Sequence, residues 1–255
     1  MEDRRAIPEV LRTFFAAHPR LALAFSGGVD SSYLLYAAMA CGCDVRAFYA
    51  RSAFQPDFEF RDAQRLAKQL GAAMTVVPLD VLAVEAVRAN PANRCYYCKQ
   101  AIFTALLAAA REQGYSAIMD GTNASDDAGD RPGMKALAEL EVLSPLRLCG
   151  VAKAEVREYS RRAGLFTWDK PAYACLATRI PSGTPIEAEA LRRVEGAEGA
   201  LFGLGYTDFR VRVFHGAARL QLPTAQLERA AREREKVRGA LAPFFDTVLL
   251  DLKDR

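Results

Sequence analysis

The chain has 255 residues, of which 51% are hydrophobic and 25% charged, enough for one large domain or a medium domain with a small one. Its 34 basic and 31 acidic side chains leave a net charge of +3, so the strong basic footprint of a nucleic-acid binder is missing, although a local basic patch is permitted. No apolar run approaches the ~20 residues of a membrane helix. The charged start MEDRRAIPEVLRTFFAAHPR reads as an amphipathic helix without the apolar stretch of a signal peptide, so the expectation is a cytoplasmic protein with neither nucleic acid nor membrane as partner. In that compartment the six cysteines are reduced thiols or ligands of metal and sulfur, not disulfides.

Residues 21–25 form a short apolar run that predicts a strand, and 31–40 have a helical pattern. A second strand is expected at 44–50, an amphipathic helix at 56–70 closed by Gly71, a third strand at 74–80 and a helix at 81–89. Residues 101–113 predict a helix closed by Gly114, with Cys95 and Cys98 at its start. A fourth strand at 116–123 runs into a loop, and 153–163 is a helix closed by Gly164. Such alternation predicts an α/β fold with a parallel sheet covered on both faces. After Pro171 the texture changes. Residues 171–186 carry three prolines and a glycine and read as a loop. A helix at 187–202, two strands within 208–222 turning at His215-Gly216, a helix at 224–241 and a strand at 247–252 follow. The expected organisation is an α/β domain over 1–170, an interdomain loop over 171–186 carrying Cys175, and a small α+β domain over 187–255.

The joint between the first strand and first internal helix is Ser26-Gly27-Gly28-Val29-Asp30-Ser31-Ser32. Glycine tolerates positive φ and lets another molecule approach the backbone. A helix N-terminus offers unpaired N–H groups and partial positive charge, so this turn is a ready anion cradle to which the serine hydroxyls add donors. Asp30 suits a cation such as Mg²⁺, or a helix cap. An ordinary strand–helix turn would account for one serine and one aspartate, not for the whole run. No lysine follows, so this is not the phosphate loop that ends in GK[ST]. SGGVDSS resembles the PP-loop of the ATP pyrophosphatases, which bind ATP in a Rossmann-like sheet, adenylate a substrate oxygen and release pyrophosphate. The resemblance implies that Ser26, Gly27, Gly28, Asp30, Ser31 and Ser32 hold the β- and γ-phosphates and Mg²⁺. It also places Ala50, Arg51 and Ser52 near adenine, and Gly121 and Thr122 near the α-phosphate.

RCYYCK sets Cys95 and Cys98 at CxxC spacing, which suits half a zinc site, a redox pair or two ligands of an iron–sulfur cluster. A zinc site needs further ligands, and the chain has no second CxxC and only two histidines, His18 and His215. Cys41, Cys43 and Cys149 read as small buried residues. Cys175 sits in the interdomain loop, where a site can form. Three thiolates hold three irons of a four-iron cluster and leave the fourth open for an extra sulfide.

RCYYCK, DGTNASDDAGDRPG, ACLATRIPSG and FRVRVFHG, in this order over nearly the whole chain, together resemble the LarE family. Those are ATP-dependent sulfur insertases of nickel-pincer cofactor synthesis for lactate racemase. Some members sacrifice a cysteine sulfur; others relay sulfide on a 4Fe-4S cluster held by three cysteines. Cys95, Cys98 and Cys175 resemble the second type. The resemblance implies adenylation of a carboxylate of pyridinium-3,5-biscarboxylic acid mononucleotide, displacement of AMP by sulfur from a sulfide donor, and a homo-oligomer. Arg210 and Arg212 alternate along a strand and so face one side, which suits phosphate and carboxylate. With Lys99, Asp126, Thr178 and Arg179 they match family substrate positions, whereas Asp130 and Arg131 order their loop. Rival readings are a PP-loop tRNA thiolation enzyme and a zinc-stabilised nucleotide-binding regulator without turnover.

Overall fold

Along β1 (Arg20–Ala24) successive side chains face opposite ways, and both ways are buried. Leu21 and Leu23 join a core with Leu11 and Phe15 of α1 (Glu9–Ala17), Tyr33 and Leu34 of α2 (Val29–Ala40), Ala63 and Leu66 of α3 (Asp57–Leu70), and Val156 of α8 (Lys153–Arg162). Ala22 joins a second core with Phe103, Leu106 and Ala110 of α5 (Arg94–Glu112) and Leu137 of α6 (Pro132–Glu139). A strand buried on both faces reads as a continuous apolar run, which is why 21–25 does. The computed structural model describes residues 6–126 and 132–255. Asp130 and Arg131 lie outside the described residues.

The sheet of the first unit has the order β3-β2-β1-β4 with every pair parallel, as expected of a Rossmann-like α/β fold. Its other strands are β2 (Asp44–Arg51), β3 (Met74–Pro78) and β4 (Ile118–Met119). From β1 the chain passes to β2 on one side, while β4 lies on the other. The order thus reverses at β1, and the loops after β1 and β4 diverge there to leave a crevice at the strands' carboxyl ends. This unit comprises the chain up to Val81 together with Asn93–Ala172.

Several elements depart from the periodicity. Helix α5 starts at Arg94, not 101, so the polar RCYYCKQ stretch is helical too. The fourth strand is only two residues long, and its outer neighbour is a single bridge between Met119 and Leu143. Helix α6 and the single turn α7 (Pro145–Leu148) occupy a stretch that gives no clear period; each opens on a proline, whose missing N–H costs nothing at a helix start.

The second unit comprises Leu82–Ala92 and Tyr173–Arg255. Residues 81–89, expected as one helix, form a short 3₁₀ turn and α4 (Glu85–Arg88). The break falls at Val84, whose backbone is extended (φ −83°, ψ 107°); beyond α4 the Arg88 carbonyl accepts from the Ile186 amide at 2.7 Å and the Asn90 carbonyl from the Gly183 amide at 2.8 Å. Helix α9 (Ala188–Gly203) packs against a sheet of order β5-β6-β7, made of β5 (Arg210–Phe214), β6 (Ala217–Gln221) and β7 (Val248–Leu250). β5 and β6 are an antiparallel hairpin, and β7 runs parallel to β6. The hairpin turns at His215 (φ 49°) and Gly216 (φ 83°), both positive as a two-residue turn matching strand twist requires. The predicted helix 224–241 is broken at Glu233 into α10 (Thr224–Arg232) and α11 (Arg234–Leu241), where that carboxylate accepts from Tyr206 (3.0 Å) and Arg229 (3.1 Å).

Candidate active site

Helix α2 begins at Val29 after Gly28, which as glycine supplies no side-chain cap, so the first-turn amides of Val29, Asp30 and Ser31 have no intrahelical acceptor. Gly27 holds φ +72°, and a β-carbon there would meet Ala63 at 3.0 Å. Across the crevice Gly121 passes so close to α2 that a β-carbon would sit 2.9 Å from the Ser31 nitrogen. Gly27 thus lets the loop after β1 pack on α3, and Gly121 lets the loop after β4 pack on the start of α2. The hydroxyls of Ser26 and Ser31 are 3.0 Å apart, and Ser26 Oγ accepts the Gly28 amide at 3.3 Å. Ser32 stands apart: it is fully buried, off the cavity wall, and its hydroxyl has no hydrogen-bond partner among the described residues.

Asp30 accepts from Lys153 Nζ at 2.5 Å and from Asn123 Nδ2 at 3.4 Å. Burial raises its pKa above the usual carboxylate value; Lys153 opposes that and the charge of Asp126 reinforces it. Asp126 itself accepts the Asn123 amide at 3.0 Å. Thr122 is fixed by Asp120, which accepts its hydroxyl at 2.5 Å and its amide at 3.2 Å while Ser144 donates to the same carboxylate at 2.7 Å. Sequence reasoning passed over Asp120, which lies only two residues before the Thr122 it holds, and Lys153, which lies 123 residues from Asp30.

A cavity of about 350 Å³ opens here, in the size range of small-molecule sites. Ser26, Asp30, Ser31, Gly121, Thr122 and Asp126 line its polar part, and Phe48, Tyr49, Ala50, Ile102, Phe103 and Leu106 its apolar part. Ala50 is on the wall as expected of the end of β2, but Arg51 is not: its guanidinium pairs with Asp57, donates to the Gln55 carbonyl at 3.0 Å and lies 5.0 Å over the Phe60 ring. Gln55 takes the place on the wall, with its side chain held by the Ser52 amide (3.1 Å) and hydroxyl (2.7 Å).

Lys99 of α5 also lines the cavity. Gly133 makes room for it, since a β-carbon there would lie 2.9 Å from Lys99 Cδ. Cys95, Lys99 and Ile102 fall at i, i+4 and i+7 on one helical stripe, so the exposed Cys95 continues the face that walls the cavity. Cys98, half-exposed, is one turn from Cys95. The guanidinium of the buried Arg94 stands 3.8 Å from Cys95 Sγ. Within each unit, no group of three or more His, Cys, Asp or Glu among the described residues gathers into a metal-binding set.

The second unit holds Cys175, Thr178, Arg179, Arg210 and Arg212. Cys175 is half-buried and precedes a 3₁₀ turn, Leu176–Arg179. Its carbonyl accepts the Thr178 hydroxyl at 2.9 Å and Arg179 Nη1 at 3.3 Å. Arg179 is fully enclosed. It donates to Glu198 through Nε (2.9 Å) and Nη2 (3.0 Å), and through Nη1 to the Ala174 carbonyl (2.6 Å) and Thr178 Oγ1 (2.9 Å). Its partner Glu198 also accepts the Val211 amide at 2.9 Å and the Tyr173 hydroxyl. Arg179 thus shapes the backbone around Cys175 and leaves no face for a ligand. Arg210 and Arg212 do share one face of β5, both directed toward the 173–179 segment. Arg210 lies 5.0 Å over the Tyr173 ring, and Arg212 donates to the Thr178 carbonyl and to Gln221 Oε1 at 2.5 Å. Burial and then the Arg179 charge lower the pKa of both, the mark of a cluster with cationic charge in excess.

Residues 16–195 match the family described as thiamine biosynthesis protein (ThiI). An uncharacterised protein of Synechocystis sp. is 39% identical over 226 residues, 88% of this chain and 84% of the relative. The pyridinium-3,5-bisthiocarboxylic acid mononucleotide synthase of Lactiplantibacillus plantarum is 34% identical over 236 residues, 91% of this chain and 86% of the relative. Similarity to the argininosuccinate synthase of Haloarcula marismortui, 30% over 156 residues, covers 57% of this chain and 37% of that protein.

Proposed function

The chain belongs to the LarE family of PP-loop proteins, and we propose on that premise that it is an ATP-dependent sulfur transferase acting on pyridinium-3,5-biscarboxylic acid mononucleotide in nickel-pincer cofactor synthesis. The observation that carries this reading is that the phosphate cradle and the CxxC helix wall the same cavity: Ser26, Asp30 and Ser31 on one part, Lys99 one turn after Cys95 on another.

In this reading adenine occupies the apolar part between Phe48–Ala50 and Ile102–Leu106. The α2 amides with Ser26 and Ser31 hold the β- and γ-phosphates, Asp30 holds Mg²⁺, and Gly121 and Thr122 face the α-phosphate. Lys99 and Asp126 orient the substrate. A carboxylate oxygen of the substrate bonds to the α-phosphorus, and pyrophosphate leaves with the electron pair of the broken P–O bond. Sulfur then displaces AMP and yields the thiocarboxylate. Arg210 and Arg212 bind the phosphate and free carboxylate of the substrate, with the planar fork that suits both anions. Arg179 and Thr178 act on the Cys175 backbone.

Cys95 and Cys98, accessible and one helical turn apart, fit two ligands of an iron–sulfur cluster by donor chemistry. Such a 4Fe-4S cluster, held by Cys95, Cys98 and Cys175, would supply reactive sulfide received from an external donor. Reduced thiols suit the cytoplasm: all six cysteines are free, and no helix among the described residues is long and apolar enough to cross a membrane. Leu249 and Leu250, exposed on the edge strand β7, support a homo-oligomer.

The test is a set of single variants, Cys95→Ala, Cys98→Ala and Cys175→Ala, in anaerobically purified protein. Each loses iron, acid-labile sulfide and thiocarboxylate formation, while pyrophosphate release persists. One zinc in place of iron would sink the cluster assignment, and absence of pyrophosphate release by the unaltered protein would sink the enzyme assignment.

A further inference from the structure

Residues 171, 172 and 174 are exposed, whereas Tyr173 among them is half-buried and belongs to the second unit. The centre of its ring lies 4.4 Å from the Arg179 guanidinium and 5.0 Å from that of Arg210, both within cation–π range. One aromatic ring thus serves two like charges. Its hydroxyl donates to Glu198 Oε2, an oxygen that also accepts Arg179 Nη2 at 3.0 Å. The other oxygen, Oε1, accepts Arg179 Nε and the Val211 amide, each at 2.9 Å. A carboxylate offers about four acceptor sites, so Glu198 is filled.

The same assembly therefore holds its two arginines in different ways. Arg179 meets a carboxylate through two N–H groups, and its charge is neutralised there. Arg210 meets the face of Tyr173. An aromatic face attracts a cation but carries no net charge and takes up no in-plane N–H, so it leaves the planar fork that suits phosphate and carboxylate. Arg210 is also next in the chain to Val211, whose amide sits on Glu198, so that carboxylate is its nearest competitor for a ligand. The Tyr173 hydroxyl occupies the site on Oε2 that Arg210 would otherwise take.

We propose that Tyr173 is a positioning residue that divides the arginine cluster. Its hydroxyl completes Glu198, so this carboxylate neutralises Arg179 alone, and its ring presents Arg210 to an anionic ligand. This rests on the reading in which Arg210 binds an anionic group of the pyridinium mononucleotide, and adds to it the residue that keeps Arg210 available.

The experiment measures calorimetric binding of the pyridinium mononucleotide and of Mg-ATP, together with Tm, in the unaltered protein, Tyr173→Phe, Tyr173→Leu, Arg210→Ala and the two double variants. Tyr173→Phe keeps the ring but opens a site on Glu198, and should weaken mononucleotide binding about threefold; Tyr173→Leu, which also loses the ring, should weaken it about tenfold. Mg-ATP affinity should be unchanged in both. In the Arg210→Ala background both losses should vanish, because the two residues act through one guanidinium. Unchanged mononucleotide affinity in either single variant overturns the assignment. So does a loss that persists in full without Arg210, which marks mere support of the 173–179 segment. Should Tyr173→Leu fail to fold, Tyr173→Phe decides by the same two criteria. If Arg210→Ala itself leaves mononucleotide binding unchanged, the substrate reading of β5 falls; if it weakens binding and the Tyr173 variants do not, Tyr173 alone is removed.

Discussion

The loop after β1 and the arginine cluster of the second unit both suit anions, but they hold their charge differently. In the loop the donors are backbone amides and two short hydroxyls, and its carboxylate pairs with one ammonium, Asp30 with Lys153. In the cluster the donors are side chains already committed: Arg179 is saturated by Glu198 and the loop carbonyls, and Arg210 and Arg212 lean on Tyr173 and Thr178. A backbone cradle is fixed by local conformation and needs few partners. A side-chain cluster must be braced by a buried carboxylate, because several guanidiniums repel one another. The first can lose a side chain and keep its fold; the second cannot.

The sharpest way to break this contrast is Asp30→Asn. Pyrophosphate formation should fall to background, because the cation loses its carboxylate. Stability should not fall. The folded pKa of Asp30 is raised above its unfolded value, so the native state binds more protons between the two. Stability therefore drops as pH rises through that window and stays lower above it, and the neutral amide removes this cost. Thermal unfolding at neutral pH checks it: a Tm well below that of the unaltered protein would show that the loop, too, depends on its charges.

Glu198→Ala should behave in the opposite way. It strands the enclosed Arg179 charge and frees the Val211 amide, so a loss of about 3–5 kcal/mol is expected in denaturant unfolding. Mg-ATP binding should survive in protein that remains folded. A loss below 1 kcal/mol, roughly the worth of an exposed pair, would mean the cluster is not braced this way.

Smaller effects sharpen the comparison. Arg210→Ala and Arg212→Ala should each weaken binding of the pyridinium mononucleotide by about 1.5–3 kcal/mol and leave Mg-ATP binding intact. If substrate titrations show no change in either, β5 carries a structural face only. The smallest effect belongs to Cys43→Ala. Burial pushes that thiol up to about 11, so it is not a thiolate at neutral pH, and its Sγ donates to the His18 carbonyl at 3.3 Å. Sulfur transfer and pyrophosphate release should both persist, and alkylation should be far slower there than at Cys95.

What the sequence determined by itself is local. An apolar run, a Gly-Ser turn and a helix are contiguous, and their backbone geometry follows from residue type within a few positions, so the parallel sheet and its phosphate loop were legible in SGGVDSS and the strands around it. The same held for the His215-Gly216 hairpin and for Arg210 and Arg212 on one face. The tertiary structure decided what depends on distant partners. It joined Lys153 to Asp30, put Gln55 rather than Arg51 on the cavity wall, enclosed Arg179 against Glu198, and paired the Arg88 and Asn90 carbonyls with Ile186 and Gly183. It extended α5 back to Arg94 and so turned Cys95 toward the stripe of Lys99. No spacing rule reaches across such separations; close packing and the requirement that buried polar groups find partners select them only once the chain has folded.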